Sequence, residues 1–452
     1  MRILYFFILI GLLSCKYEKY EPAANINPLA ECIDGHAKFT LDGEEYEYEC
    51  NGYDLMGYVS LDEMNAEKGN DCWGWTDPSS GKEYALMGLD NGTAIVDISI
   101  PTAPLYLGKI PTATVSSAWR DLKVYDNHVF IVSEAAGHGM QVFDLKQIRG
   151  LDSKQNFTAD YVYSGYGQAH NIAINTESGY AYTAGAGTSN TDRIGLGIHA
   201  LNISNPTSPV LELQSSDIVP INAQGKGAYT HDAQIVNYKG PDSDYFGKEI
   251  YIGSNENKVV FVDVSDKSSP KLISEFFYDH QYTHQSWLTE DHTFALLGDE
   301  LDELDLTSNP IVLKENVKTK TIVIDISDLD NPVLHFNYLS DTEAIDHNGY
   351  VFGSKFYLAS YTSGMRVIDI INIEQKTFTE VGFFDTYIHD HDDHKIKQTS
   401  PRWSDPGDHT GKKGQEIEAF NGAWSVYPYF NSENIIISDI NSGLFIVNKK
   451  AN

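Results

Sequence analysis

Histidine recurs at four matched places in this chain: His170, His231, His284 and His347. Each begins a β-branched or apolar segment and is followed by a small or polar residue, as in His170-Asn171-Ile172, His231-Asp232-Ala233, His284-Gln285-Ser286 and His347-Asn348-Gly349. Aligning the same segments adds Arg120 ahead of the four and Asn421 after them. Acidic residues close the apolar segments that come next, namely Glu134, Glu256, Asp299 and Glu300, and His138 stands in the turn after Glu134. Imidazole suits zinc, iron, copper or nickel, and carboxylates complement it, so the four histidines fit a divalent metal ion and, through it, a metal-dependent enzyme. Arg120, Glu134, His138, Glu256, Asp299, Glu300 and Asn421 are the accompanying candidates for ligand contacts. The same polar positions, repeated unit by unit, would serve equally as hydrogen-bonding links between neighbouring units, and both readings stand.

A second histidine group is His389, His391 and His394, which alternate with aspartates in 389–394. Its ligand types suit a metal, and its composition equally suits a solvated acidic loop. Other enzyme signatures are missing from the sequence. It has no Gly-x-Ser-x-Gly elbow, no phosphate loop and no His-Glu-x-x-His. The acidic run 299–305 lacks the glycine and terminal glutamate of an EF-hand.

The elements that position these residues are read from a repeat. Apolar runs ending in Asp or Asn occur at 95–99 (IVDIS), 142–145 (VFDL), 201–204 (LNIS), 261–265 (FVDVS), 323–327 (VIDIS), 367–370 (VIDI) and 445–448 (FIVN). Four share a longer frame: Asp97-Ser99-Pro104, Asn202-Ser204-Pro209, Asp263-Ser265-Pro270 and Asp325-Ser327-Pro332. Each run is the third of four short strands, with turn residues such as Asp90-Asn91-Gly92 between the second and third. Repeated four-stranded units predict an all-β fold, a seven-bladed β-propeller. The last unit, 421–447, lacks a fourth strand, and the segment 53–59 near the other end resembles one. It is expected to close the ring and cover the open edge. In such blades the start of the first strand and the end of the second share one edge. The histidines and carboxylates are therefore expected at one mouth of the central channel, on the same face as the insertion 389–418.

The net charge of −32 argues against nucleic acid and against anionic membrane surfaces as partners. Residues 1–14 read as a lipoprotein signal peptide. Arg2 and an apolar run precede Leu12-Leu13-Ser14-Cys15, which makes Cys15 the expected lipid attachment and membrane anchor. Residues 15–31 read as a tether, 32–50 as a segment closed by a Cys32–Cys50 disulfide that export permits, and 51–452 as the propeller. Cys72 is expected to be a buried thiol.

Longer strings carry a resemblance. DCWGWTDPSSGKEYALMGLDNGTAIVDIS (71–99), WRDLKVYDNHVFIVSEAAGHGMQVFDL (119–145), YTHDAQIV (229–236), YTHQSWLTEDH (282–292), GDELDE (298–303) and NGAWSVYPYF (421–430) together resemble the choice-of-anchor B family. These are exported bacterial proteins related to LVIVD-repeat propellers. The resemblance runs from about Cys32 onward and implies a common body carried on different surface anchors. It implies no particular activity. The segment 389–418 is longer than the family pattern. The expected protein is a lipid-anchored propeller of the bacterial cell envelope, at the outer membrane or cell surface. Its expected role is a binding module for a protein, glycan or small ligand.

Overall fold

The computed structural model describes residues 27–41, 43–187, 197–220, 228–308, 311–388 and 418–450. Cys15 with the expected signal and most of the tether, and His389, His391 and His394, lie outside them. The described chain is about half strand with almost no helix, and its strands are arranged as a β-propeller. No helix among the described residues is long and apolar enough to cross a membrane.

The first blade shows why the repeat folds as it does. Its strands are Gly69–Thr76, Glu83–Leu89, Gly92–Asp97 and Leu105–Pro111, paired antiparallel in that order. Asp97 ends the third strand, and its Oδ1 accepts the Ser99 N–H at 2.9 Å, an Asx turn that reverses the chain into the fourth strand. The same bond forms at Asn202–Ser204 (3.1 Å), Asp263–Ser265 (3.1 Å), Asp325–Ser327 (2.9 Å), Asp144–Lys146 (2.9 Å) and Asp369–Ile371 (2.9 Å). The run before each Asp is apolar throughout because successive side chains face opposite sides of the strand and both sides are covered. Ala94 and Val96 pack toward Ile436, Leu444 and Ile446 of the last sheet, whereas Ile95 packs toward Leu122, Val129 and Ile131 of the second. A two-layer sandwich would bury one side only. Burial on both sides is what a ring of radial blades requires.

Among the described residues, six sheets contain four blade strands that follow one another along the chain. Their innermost strands are Gly69–Thr76, Arg120–Tyr125, Asn171–Asn175, Asp232–Asn237, Thr283–Leu288 and Gly349–Phe352. The expected seven-bladed ring is corrected to these six blades, beside which the final unit supplies only Ala423–Tyr427, Ile435–Asp439 and Gly443–Lys449. Tyr53–Ser60 pairs antiparallel with Gly443–Lys449, placing Tyr58 opposite Phe445 and Leu55 opposite Val447. Consecutive innermost strands pack on one another, and Ala423–Tyr427 packs on Gly69–Thr76.

The N-terminal segment does more than lead in. His36–Leu41 and Glu44–Asn51 form a hairpin, and Glu44–Asn51 pairs with the outer strand Thr377–Phe384. Cys32 and Cys50 are joined in a disulfide at the base of this hairpin. Cys72 is a buried free thiol whose pKa is pushed up by burial.

Candidate functional site: a narrow axial mouth

The innermost strands bring His170, His231, His284 and His347 side by side. Neighbouring imidazole centroids lie 4.1 Å apart for His170–His231, 4.4 Å for His231–His284 and 4.2 Å for His284–His347. Trp424 continues the row, 4.8 Å from His347. The row lines a cavity of about 20 Å³, whose walls also include Asp71, Trp119, Arg120, Asp121, Asn171, Asp232 and Asn348. That is room for a water or a single ion and too little for an organic substrate.

Through Nδ1, His170, His231 and His347 each reach a neighbouring blade. His170 Nδ1 meets Glu134 Oε1 at 2.7 Å, His231 Nδ1 meets the His284 carbonyl at 3.3 Å, and His347 Nδ1 meets the Trp424 carbonyl at 2.6 Å. Burial pushes His347 down to about 3, so it is neutral at physiological pH and donates through Nδ1. Glu300, at the end of a second strand, faces His284 Nε2 and His347 Nε2, each at 3.8 Å. The Tyr361 hydroxyl donates to Glu300 Oε1 at 2.8 Å. Burial pushes Glu300 up to about 7, against that hydrogen bond and with a contribution from Asp299.

The remaining candidates part company here. Arg120 lines the cavity but turns its guanidinium to the Leu89 carbonyl (3.0 Å), Thr112 Oγ1 (2.9 Å) and His138 Nε2 (2.9 Å). Burial, then the Arg120 charge, holds His138 down at about 4. Both residues brace the rim. Asp299 accepts the Tyr282 N–H (2.7 Å), the Gln281 N–H (2.8 Å) and the Tyr278 hydroxyl (2.9 Å), so it shapes a turn rather than lining the cavity. Glu256 has φ +40° and contributes its carbonyl to the Thr283 N–H; its side chain is not among those lining the cavity. Asn421 is corrected: Trp424 stands in the row, and Asn421 Oδ1 accepts from Asn441 Nδ2 at 3.0 Å. His389, His391 and His394 lie outside the described residues.

Sequence reasoning missed the layer beneath the histidines. Lys123 Nζ lies 2.5 Å from Asp121 Oδ1 and 3.1 Å from Asp71 Oδ2, all three buried. Asn171 Nδ2 donates to Asp121 and to Asp232 (3.0 Å), and Asn348 Nδ2 and Gln285 Nε2 reach Asp71 and Asp232 at 3.4 Å. Burial opposes the Lys123 charge, but Asp121 and Asp71 outweigh it and raise its pKa. Burial holds Asp121 well above the carboxylate range despite Lys123. The signal was present: the residue after each mouth position is Asp71, Asp121, Asn171, Asp232, Gln285 or Asn348.

A second acidic group lies behind Glu300. Glu303 is buried, and burial, followed by Asp346 and Asp302, pushes it up to about 11. A carboxyl raised this way contributes stability below its unfolded pKa of about 4.3 and loses it as pH rises through the folded value. Glu303→Gln is therefore expected to stabilise the chain by about 1–3 kcal/mol at pH 8, with the gain vanishing near pH 4. Thermal melts across that range check it; an unchanged or lower melting temperature at pH 8 counts against a buried, proton-holding Glu303.

Comparisons with known proteins agree with this geometry in a repeat and in the fold. Residues 80–112, 246–277 and 308–340 match the LVIVD repeat, spanning strands of the first, fourth and fifth blades around Asp97, Asp263 and Asp325. Among solved structures, the chain is similar to Kuenenia stuttgartiensis hydrazine synthase, with 11% identity and a TM-score of 0.51 over 82% of this chain and 93% of that one. It is also similar to the Myceliophteria thermophila Cps50 (Swd1) β-propeller domain, with 10% identity and a TM-score of 0.51 over 88% of this chain and 100% of that one. At such identity these likenesses speak for the fold alone. No curated protein matches the chain.

Proposed function

We propose that this protein is a lipid-anchored binding module of the bacterial cell envelope, of the choice-of-anchor B type. Its propeller is a ring of seven blades, the seventh completed by Tyr53–Ser60, and its loop-rich face takes up a protein, glycan or small ligand. The seventh blade is supported by a shared irregularity. The third and fourth strands slip register at Ile95/Val96, Ala200/Leu201, Phe261/Val262, Val323/Ile324 and Val367/Ile368 in five blades. Gly443–Lys449 slips against Tyr53–Ser60 in the same way, at Ile446/Val447. Tyr53–Ser60 thus behaves as a fourth strand.

The observation that carries the binding reading is the narrowness of the axial cavity. Side chains fill the mouth to about 20 Å³, which leaves the surface loops, not the channel, to meet an organic ligand. The connection that leaves Phe294–Asp299 starts on the mouth face, where Glu300 faces His284 and His347. Cys15 supplies the anchor in this reading.

Photo-crosslinking on washed membranes of cells making the protein tests it. Probes replace Val115 and Phe277, exposed on the mouth face, or Ile100 and Phe246, exposed on the opposite face. The reading expects the protein on the washed membranes and discrete adducts from the first pair only. Adducts confined to the second pair, or protein washed free, would contradict it.

A further inference from the structure

The four mouth histidines are not equivalent. His170 is engaged by Glu134, a bond within the ring wall. His231, His284 and Glu300 are all buried, and one ligand atom from each lies within 4.8 Å of the others. We propose that this trio binds one divalent transition-metal ion of the kind taken by two imidazoles and a carboxylate, zinc or ferrous iron.

Three observations besides proximity support the site. First, His231 Nδ1 is turned to the backbone carbonyl of His284, which requires hydrogen on Nδ1 and leaves the Nε2 lone pair as its ligand atom. A backbone carbonyl on the far nitrogen is the usual arrangement behind a ligating histidine. Second, Glu300 is oriented from behind by the Tyr361 hydroxyl at 2.8 Å, which leaves its carboxylate facing His284 Nε2 and His347 Nε2. Those two contacts, at 3.8 Å, are too long for hydrogen bonds. They suit two ligand atoms each about 2.1 Å from a shared ion, which stand roughly 3.4–4.2 Å apart. Third, two histidines and a carboxylate leave coordination positions open, and the adjoining cavity of about 20 Å³ has room for a water there. His347, neutral and fixed through Nδ1 to the Trp424 carbonyl, presents its Nε2 beside Glu300 as the nearest further donor.

The ion is independent of the loop face proposed above, and one can fail without the other. The test uses the full exported chain, stripped with chelator and then offered Zn²⁺, or Fe²⁺ without air. Elemental analysis after desalting should find one equivalent of one of these metals per chain. His284→Gln and Glu300→Gln should each weaken retention more than about tenfold while melting cooperatively. The triple variant His389→Ala, His391→Ala and His394→Ala should keep the full equivalent. Because a mouth variant can fail to fold, Co²⁺ absorption of the unchanged chain gives a second reading. A four- or five-coordinate visible spectrum upholds the site, and a six-coordinate aqueous spectrum overturns it. No stoichiometric metal in the wild type, loss in the triple variant, or full retention by Glu300→Gln overturns it as well.

Discussion

Lys123→Met is expected to cost the folded chain about 3–5 kcal/mol, a large part of the ~5–15 kcal/mol that holds a domain together. The ammonium of Lys123 lies within 3.1 Å of Asp71 and Asp121, with Asp232 in the same buried layer. Methionine has a similar volume, so the loss is electrostatic: carboxylates remain with no buried cation among them. The pH dependence follows from Asp121. Burial raises its pKa well above the carboxylate range, Lys123 pulls it back, and Asp71 and Asp232 raise it. Without Lys123 the folded pKa climbs further. Stability held below the unfolded value of about 3.9 is then lost as pH rises through the folded one. The raised Lys123 pKa means that the wild type keeps the contribution of the lysine up to about pH 10. The gap between variant and wild type should therefore open from about pH 4 upward. Adding Asp121→Asn should recover part of the loss. Melts of the three proteins between pH 4 and 9 check this. A single variant within ~0.5 kcal/mol of wild type throughout would mean that the buried triad has little energetic weight.

The second large effect is expected from the N-terminal strand. A chain starting at residue 27 should fold, and one starting at residue 61 should not melt cooperatively. The shorter chain loses Leu55, Met56 and Val59, all buried, at about 1.5–3 kcal/mol each. It also uncovers the edge of Gly443–Lys449, where Leu444, Phe445, Ile446 and Val447 are fully buried. A long apolar edge of this kind recruits other chains, so aggregation should accompany the loss. Calorimetry and light scattering on the two chains read both consequences. An equally stable, monodisperse chain from residue 61 would show that Tyr53–Ser60 is dispensable.

What could be read from sequence follows the physics of each position. Asp97, Asp263 and Asp325 were legible as a repeat because the Asx turn after the third strand recurs in six blades and needs Asp or Asn there. His170, His231, His284 and His347 were legible because strand register carries them to one edge together. Asn421 was misplaced because the last unit has no histidine there. Asn421 is a polar residue three places before Trp424, with Gly422 at φ +92° between them. Glu256 shared the pattern of Glu134 and Glu300, but its positive φ belongs to a turn that engages its carbonyl. The Lys123 layer was written as a polar residue after every mouth position. Its meaning depends on a lysine inside one strand meeting aspartates of other blades, such as Asp71, and spacing does not reveal such a pairing. The distinction between His170, bonded to Glu134, and the trio around Glu300 rests on rotamers and appears only in three dimensions.

Closure of the ring by its N-terminal strand is read most directly by amide hydrogen exchange on the chain from residue 27. If Tyr53–Ser60 completes the seventh blade, its amides should exchange as slowly as those of Gly443–Lys449 and should open only with the whole ring. Exchange of Tyr53–Ser60 within seconds, while the innermost strands stay protected for hours, would contradict a ring closed in this way.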